Sequence, residues 1–258
     1  MKIASLASGS SANAYVIESQ GRYFLIDDGL SFKALQERLA TLGLKTGQIE
    51  GIFITHNHRD HTSGLEGFHA KHPDVKIYAN IATGEAICEY NKVEDALYYF
   101  ENGCSYTIGP LKVSPFTIPH DAADPVGFIV EADGKTYFHA CDVGTSLDFI
   151  GSKLALADFA TLEFNHDPVM LMASNRPAHI KTRIKGPRGH LCNDDAASLV
   201  ARFASPKLKT ILMGHLSQEC NDPRFASATL AEALKSIGRE DIKYVTLTQD
   251  TPTQFFDA

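Results

Sequence analysis

The sequence predicts an α/β protein in which two mixed β-sheets pack face to face and helices cover their outer faces. Its 258 residues contain two successive segments of the same kind, in which strands come first as hairpins and then alternate with helices. Apolar residues make up 44% and charged residues 21% of the chain, as in ordinary globular proteins. Because the sequence shows no linker rich in Pro, Gly or Ser, we expect one domain spanning residues 1–258.

The first segment contains short strands that Gly and Ser residues separate, followed by an amphipathic helix. Apolar residues at 32, 35, 39 and 42 recur in steps of three and four, which predicts a helix that ends at Gly43. The near-continuous apolar run at 52–55 is typical of a strand buried on both faces. We predict strands at 2–6, 14–18, 22–27, 52–55 and 76–79, and helices at 32–42 and 82–89.

The second segment repeats this order. A Gly109-Pro110 turn separates two strands, and an Asp133-Gly134 turn closes a hairpin. We predict two strands within 106–118, a hairpin at 126–142, strands at 159–164, 208–213 and 242–248, and helices at 194–203 and 223–237. The repeated order therefore predicts a second mixed sheet beside the first.

Charge and cysteine content limit the classes of function. A formal net charge of −7 excludes a basic footprint over the whole surface, so any contact with a polyanion must be local. The five cysteines form no C-x-x-C pair and are odd in number, which argues against a disulfide framework or a cysteine-built zinc site. Scattered thiols, with no apolar run long enough for a signal peptide or a membrane span, predict a cytoplasmic protein.

The strongest motif follows the predicted buried strand. It reads Thr55-His56-Asn57-His58-Arg59-Asp60-His61. In an extended segment His56, His58 and Asp60 point to one side, and a turn after Asp60 brings His61 to the same place. Histidine accounts for only 11 of 258 residues, so three within six positions indicate a site rather than a chance surface loop. Imidazole and carboxylate ligands together suit zinc, manganese or iron.

Three further candidate ligands, His120, Asp142 and His215, each stand at the end of a predicted strand. His120 and Asp142 lie on opposite sides of the Asp133-Gly134 turn, near the open end of the hairpin, so we expect them to be neighbours. The two oxygens of Asp142 would allow it to bridge two metal ions. The sequence therefore predicts a centre for more than one metal at the rim of a sheet.

An H-x-H-x-D-H motif followed by single His, Asp and His residues resembles the metallo-β-lactamase superfamily. The resemblance implies that superfamily's αββα sandwich and two divalent metal ions. It implies one ion on His56, His58 and His120, the other on Asp60, His61 and His215, and Asp142 between them. All seven positions are filled in this chain, which indicates an intact site.

Five further segments, at 5–11, 119–122, 162–167, 189–193 and 214–217, are similar to the YycJ (WalJ) group of that superfamily, bacterial proteins described as 5′→3′ DNA exonucleases. Cys192 stands where this group is expected to have Ser, and Ala12 where relatives usually have Gly. The resemblance implies phosphodiester hydrolysis at DNA ends by a hydroxide bound to two metals, zinc or manganese with iron possible. In that reaction Asp60 would orient the nucleophile and His190 would protonate the leaving alkoxide.

A local basic segment suits a phosphate-rich substrate. Between Asp167 and Asp194 the chain has no acidic residue but contains Arg176, Lys181, Arg183, Lys185 and Arg188. We expect Arg183, Lys185 and Arg188, together with His190, to bind substrate, since Lys and Arg supply affinity for phosphates regardless of base sequence. The alternative is a solvated basic loop that binds nothing.

Other polar residues are expected to support the ligands. Asp27 and Glu163 would hydrogen-bond ligand histidines, as metal-bound histidines usually require. The role of His166 stays undecided between capping a helix, supporting a ligand histidine and contacting the substrate. Three other functions also remain open: hydrolysis of a small phosphodiester or cyclic nucleotide, a metal-bound interaction module without turnover, and a di-iron oxidoreductase. The last is weaker, because its resembling relatives have Glu at the position of His58 and need a flavin domain.

Overall fold

Two seven-stranded sheets pack face to face, with helices on both outer faces, in a computed structural model that describes residues 1–257. The fold class is therefore as the sequence predicts. Each sheet contains three antiparallel strand pairings, mostly between the strands that come early in its half of the chain, and three parallel pairings between the later ones. This order accounts for the hairpins that precede the strand–helix alternation in each half of the sequence.

The first sheet contains mostly the N-terminal strands, in the order β14-β1-β2-β3-β4-β5-β6. These strands are β1 (Lys2–Ala7), β2 (Ala14–Ser19), β3 (Arg22–Ile26), β4 (Ile49–Phe53), β5 (Lys76–Ala79), β6 (Leu97–Tyr99) and β14 (Phe256–Asp257). The short strands β6 and β14 were not predicted from the sequence. Because β14 pairs with β1, the end of the described chain returns to the sheet in which it begins.

The second sheet has the order β13-β12-β11-β10-β9-β8-β7. Its strands are β7 (Tyr106–Ile108), β8 (Leu111–Thr117), β9 (Val126–Ala132), β10 (Lys135–Ala140), β11 (Phe159–Glu163), β12 (Thr210–Gly214) and β13 (Lys243–Thr246). The predicted hairpin joins β9 to β10. Asp133 and Gly134 have φ angles of 53° and 71°, the left-handed conformation that a tight two-residue turn requires.

The helices pack outside the sheets, and several of the short ones were not predicted. They are α1 (Phe32–Thr41), α2 (Arg59–Thr62), α3 (Leu65–His69), α4 (Ile81–Cys88), α5 (Asp148–Leu154), α6 (Pro168–Ala173), α7 (Ala178–Lys185), α8 (Asn193–Phe203) and α9 (Pro223–Ser236). Single turns of 3-10 helix occur at Thr46–Gln48 and Glu94–Ala96. The side chain of Ser31 caps the start of α1, and Gly43, with a φ of 73°, follows its end as predicted. Among residues 1–257, the longest apolar stretches of helix still fall short of what a bilayer crossing requires.

The hydrophobic core lies in three layers that follow the alternation of side chains along the strands. On β2, Tyr15 and Ile17 pack between the sheets, whereas Ala14 and Val16 pack beneath the helices of the first sheet. A third layer lies between the second sheet and α5, α8 and α9. This packing fixes both sheets, so polar residues that follow β1, β3, β4, β8, β10 and β12 are held at one rim of the sandwich.

Candidate metal centre

All seven predicted metal ligands lie together at this rim. His56 and His58 follow β4, Asp60 and His61 lie in α2, and His120, Asp142 and His215 follow β8, β10 and β12. The nitrogen atoms that His56, His58 and His120 offer lie within 4.8 Å of one another. The same holds for the oxygen and nitrogen atoms of Asp60, His61 and His215. The two clusters are the two ligand sets that the family resemblance implies.

Asp142 lies between the two clusters. Its Oδ2 is 3.9 Å from His56 Nε2 and 2.8 Å from His61 Nε2, while its Oδ1 is 3.7 Å from His120 Nε2 and 3.5 Å from His215 Nε2. Burial by itself would raise the pKa of this carboxyl, but the surrounding histidines hold the pKa well below its usual value. Asp142 is therefore an ionised carboxylate that reaches histidines of both sets.

Hydrogen bonds from Nδ1 orient two histidines of the H-x-H-x-D-H motif. His61 Nδ1 donates to Asp27 Oδ2 at 2.7 Å. The Thr55 hydroxyl donates to the same carboxylate oxygen at 2.8 Å, so it accepts from His56 Nδ1 at 3.0 Å. Each ring is left with an Nε2 lone pair directed at the centre. Asp27 thus contacts both Thr55 and His61 of the motif.

Two histidines of the second sheet are held in the same way. His120 Nδ1 donates to the carbonyl of Gly189 at 2.9 Å, and His215 Nδ1 donates to Glu163 Oε1 at 3.0 Å. The Nε2 atoms of His56 and His215 are buried and make no hydrogen bond to any described residue. Buried acceptors without a partner, arranged beside two carboxylates, fit divalent cations such as zinc, manganese or iron.

Three residues of the site have left-handed backbone conformations. Asp27, Asp142 and His215 have φ angles of 60°, 58° and 55°. This region is unfavourable for side chains other than glycine and persists where the surrounding structure imposes it. At His215 a hydrogen bond from its backbone N–H to Ser8 Oγ, at 2.8 Å, holds the conformation.

A loop at 8–13 also contacts the ligands, and the sequence indicated it only as a family segment with turn residues. Asn13 Nδ2 donates to Asp60 Oδ2 at 3.3 Å and lies 3.0 Å from His61 Nε2. The backbone N–H of Asn13 donates to the Asp60 carbonyl at 2.7 Å. Gly29 packs against the same carbonyl so closely that a Cβ at position 29 would lie 1.8 Å from the oxygen. Asp60 is thus fixed by contacts from both sides.

His190 lies beside the centre and is held by Glu163. Its Nδ1 is 2.8 Å from Glu163 Oε1 and 3.2 Å from Asp142 Oδ1, and its ring stacks on His215 with centroids 5.3 Å apart. Burial would lower the pKa of His190, but Glu163 and Asp142 raise it to about 9. Burial would likewise raise the pKa of Glu163, and His190 and His215 lower it to about 2. Glu163 therefore contacts two histidines at once through one carboxylate oxygen.

His166 is placed differently from the supporting role considered for it. Its carbonyl accepts from the Asn193 N–H at 2.9 Å. Its side chain makes no hydrogen bond to the ligand residues in the described part of the chain, and its Nδ1 is unpartnered. The adjacent Asp167, rather than His166, caps α6 with its side chain. Sequence position alone put His166 near the site because it follows a strand by only three residues.

A cavity of 250 Å³ opens over the centre. It is lined by Ser10, His58, Asp60, Asp142, Asn165, Arg176, Ile180, Arg183, Ile184, His190, His215 and Ser217. A larger groove of 810 Å³, between α9 and β13, contains none of the candidate ligands. The candidate metal ligands that face a cavity therefore face the smaller one, namely His58, Asp60, Asp142 and His215.

The basic segment folds into α6, α7 and their connections, and only part of it faces this cavity. Arg176 and Arg183 line the cavity, whereas Lys185 and Arg188 do not. Lys185 is exposed, with its Nζ 4.0 Å from the Met172 sulfur, and Arg188 Nε donates to the carbonyl of His120 at 3.0 Å. Arg176, which the sequence did not single out from the rest of the segment, is thus closer to the centre than two of the residues that it did.

The fold and the His/Asp rim together define a protein of the metallo-β-lactamase fold. A structure of the metallo-β-lactamase fold protein YhfI from Bacillus subtilis superimposes with a TM-score of 0.70 at 14% identity, covering 98% of each chain. A sequence model described as the Beta-lactamase superfamily domain matches residues 22–215. The chain belongs to this superfamily.

Two curated relatives match over most of their length. The chain is 34% identical to exodeoxyribonuclease WalJ of Streptococcus pneumoniae, over 98% of this chain and 96% of the relative. It is 32% identical to exodeoxyribonuclease YycJ of Bacillus anthracis, over 90% of this chain and 89% of the relative. The resemblance to the YycJ (WalJ) group is thereby confirmed.

Proposed function

We propose that this chain is a metal-dependent exodeoxyribonuclease that hydrolyses a phosphodiester at a DNA end, in the 5′→3′ direction. The observation that carries the proposal is the cavity in which two arginines, Arg176 and Arg183, face the cluster of histidines and carboxylates. Cationic side chains beside a metal centre suit an anionic phosphate. The names of the WalJ and YycJ relatives support DNA as the substrate.

The proposed cofactor is a pair of divalent ions, zinc or manganese with iron possible. One ion would be held by His56, His58 and His120, the other by Asp60, His61 and His215, and both by Asp142. When bound, such ions lower the pKa of water and stabilise charge on a phosphate undergoing displacement. The orphaned Nε2 atoms of His56 and His215 support this assignment.

The remaining steps fall to side chains of the chain itself. Arg176 and Arg183 would bind the phosphate, and the Asp60 carboxylate, fixed by Asn13, would orient the attacking water. His190 would donate a proton to the leaving oxygen, since Glu163 engages its Nδ1 and its Nε2 has no hydrogen-bond partner among the described residues. Lys185 and Arg188 remain proposed contacts for DNA farther from the centre.

The second candidate is a hydrolase of small phosphodiesters or cyclic nucleotides, which the cavity volume favours. At 250 Å³ the cavity is smaller than typical pockets for drug-sized ligands, which begin at about 300 Å³. It therefore admits a single phosphate group and its immediate neighbours. An exonuclease would place only the end of a DNA strand in such a cavity. A small diester would fit in it completely and would need no contact outside it.

An assay on end-labelled DNA and on bis(nitrophenyl) phosphate distinguishes these functions. The purified protein is loaded with manganese or zinc, and strands labelled at either end are compared, with Asp142→Ala as the inactive control. We expect mononucleotide release from the 5′ end before the 3′ label is lost. Turnover of the small diester alone would favour the second candidate. Metal binding without turnover of either substrate would favour an interaction module.

Two features of the whole chain remain proposals. We propose that residues 1–258 form one domain, since β14, the last strand among the described residues, pairs with β1. A single unfolding transition seen by two spectroscopic probes would support this. A cytoplasmic location stays a prediction of the sequence.

A further inference from the structure

A second cavity of 340 Å³ adjoins the one over the metal centre, and Ser217 lines both. It lies between the loop that follows His215 and the segment at 247–250, with Ser8 at its base. His215 lines the first cavity, and the next residue, Leu216, lines the second. The two cavities are therefore neighbours that share one lining residue.

The two cavities differ in charge. Arginines and histidines line the first, whereas the second has apolar walls formed by Leu216, Pro223 and Leu247. Among the described residues that line the second cavity there is no Lys or Arg, and Asp250 is the one charged side chain. A phosphate group is disfavoured there, because its charge would meet a carboxylate without a compensating cation.

Most polar groups of the second cavity are already satisfied within the protein. The Gln249 amide accepts from the Ser11 N–H at 2.8 Å and donates to the Ala12 carbonyl at 3.1 Å. The Asn221 amide donates to the Phe164 carbonyl at 2.8 Å. These bonds fix the walls before any ligand arrives, so a ligand meets a preformed surface.

The exposed rim offers hydrogen-bond acceptors. Gln218 Nε2 donates to Asp250 Oδ2 at 3.1 Å and so joins the two sides of the cavity. Gln218 Oε1 and Asp250 Oδ1 have no hydrogen-bond partner among the described residues. Both atoms accept hydrogen bonds only, and the edges of nucleobases carry N–H donors.

We propose that the second cavity holds the nucleobase of the nucleotide whose phosphate lies at the metal centre. This inference rests on the proposed function and names the part of the substrate that the neighbouring cavity takes. A nucleotide has an anionic phosphate and an apolar, flat base with N–H groups at its edge. The two adjoining cavities match these two parts in charge, and 340 Å³ lies within the usual range for small-molecule sites, about 300–1,000 Å³.

Binding of mononucleotides tests the proposal independently of catalysis. The affinity of the metal-loaded protein for deoxyadenosine monophosphate is compared with its affinity for deoxyribose 5-phosphate, which lacks the base. We expect the nucleotide to bind about tenfold more tightly or better, as a filled apolar pocket with polar contacts allows. Equal affinities would overturn the proposal.

Gln218→Trp places a large side chain at the exposed rim and should fill the cavity. The variant is expected to lose the preference for the nucleotide while keeping the affinity for deoxyribose 5-phosphate. Lys207→Trp, at an exposed position outside both cavities, is the matched control and should keep the preference. Asp250→Ala is a smaller change that should reduce the preference without filling the space. Retention of the full preference in both rim variants would place the base elsewhere.

Cleavage of oligonucleotides separates this inference from the proposed function. A strand with an abasic terminal nucleotide should be cut with a lower kcat/KM than the normal strand, and Gln218→Trp should cut both equally. If the protein cuts neither strand but still prefers the mononucleotide, the proposed function fails and the base site stands. If it cuts both strands equally well before any substitution, the base site fails and the exonuclease stands.

Discussion

Arg183 is expected to bind a substrate phosphate, and its ion pair with Asp121 provides a way to test this. The guanidinium donates two hydrogen bonds to Asp121, at 2.5 and 3.1 Å. Burial would raise the pKa of Asp121, but Arg183 keeps it below its usual value, so the carboxylate is ionised at neutral pH. Replacing Arg183 alone therefore removes one cation and uncovers one anion beside the centre.

The salt dependence of DNA binding gives the magnitude. Each phosphate contact on a single strand contributes about 0.7 to the slope of log affinity against log salt. Two arginines, Arg176 and Arg183, line the cavity, so together they account for a slope of about 1.4. Between about 50 and about 200 mM salt, one contact corresponds to about a 2.6-fold change in affinity. Arg183→Gln should lower the slope by the contribution of one contact, about 0.7. It should also bind DNA more weakly at every salt concentration, because Asp121 is then uncovered.

Fluorescence anisotropy on a nuclease-resistant single strand measures these slopes for Arg183→Gln, Asp121→Asn and the double variant. Asp121→Asn should bind DNA more tightly, because it releases the guanidinium. The double variant should bind DNA more tightly than Arg183→Gln, because Asp121 no longer repels the phosphate. Its salt slope should stay as low as that of Arg183→Gln, because the arginine contact is still missing. A double variant with the wild-type slope would refute the reasoning, since Arg183 would then only neutralise Asp121.

Lys185→Gln tests the contact proposed farther from the centre, because Lys185 belongs to the same helix as Arg183 but does not line the cavity. Its slope should fall by about 0.7, as for one lost phosphate contact, while turnover of bis(nitrophenyl) phosphate stays at the wild-type level. A slope equal to that of the wild type would mean that Lys185 is a solvated side chain without a DNA contact.

Four further substitutions test the centre and its supports. Asp142→Ala should abolish turnover and lower the metal content, because one carboxylate reaches both histidine sets. An unchanged far-UV circular dichroism spectrum would show that the fold is kept. Normal metal content would exclude a bridging role. His190→Ala should slow cleavage of DNA about 10²-fold or more, and cleavage of a nitrophenyl ester much less, since nitrophenolate leaves without a proton; equal losses would assign His190 to positioning. Gly29→Ala should weaken metal binding measured by titration, because its Cβ displaces the Asp60 carbonyl, and an unchanged affinity would show that Asp60 tolerates the shift. Cys192→Ser should stabilise the protein by about 1 kcal/mol in denaturant unfolding, because a hydroxyl caps the start of α8 better than a thiol, and a lower midpoint would contradict this.

The sequence was sufficient to predict the two sheets and the places at which the ligands leave them. Both depend on local patterns: alternation of apolar residues along a strand, and polar residues directly after it. The Asp133-Gly134 turn even fixed which ligands should be neighbours, because His120 and Asp142 follow or precede strands of one antiparallel pair. These predictions needed no knowledge of distant contacts.

The parts that could not be predicted depend on residues far apart in the chain. Gln249 is hydrogen-bonded to Ser11 and Ala12, more than 230 positions away. Whether a basic residue faces the cavity depends on how α6 and α7 pack, and no local pattern distinguishes Arg176 from Lys185 in this respect. For the same reason His166, which follows β11 closely, could not be separated from the residues that support the ligands.

Apart from β14, which returns to the first sheet, the chain passes from the first sheet to the second within one short stretch. Strand β6 ends at Tyr99 and β7 begins at Tyr106. The donors of the H-x-H-x-D-H motif precede this stretch, and His120, Asp142 and His215 follow it. A chain divided at residues 100–105 would therefore give two fragments, each with one side of the centre. Nuclease activity would return only when the fragments reassemble, so the divided chain would serve as a reporter of fragment complementation.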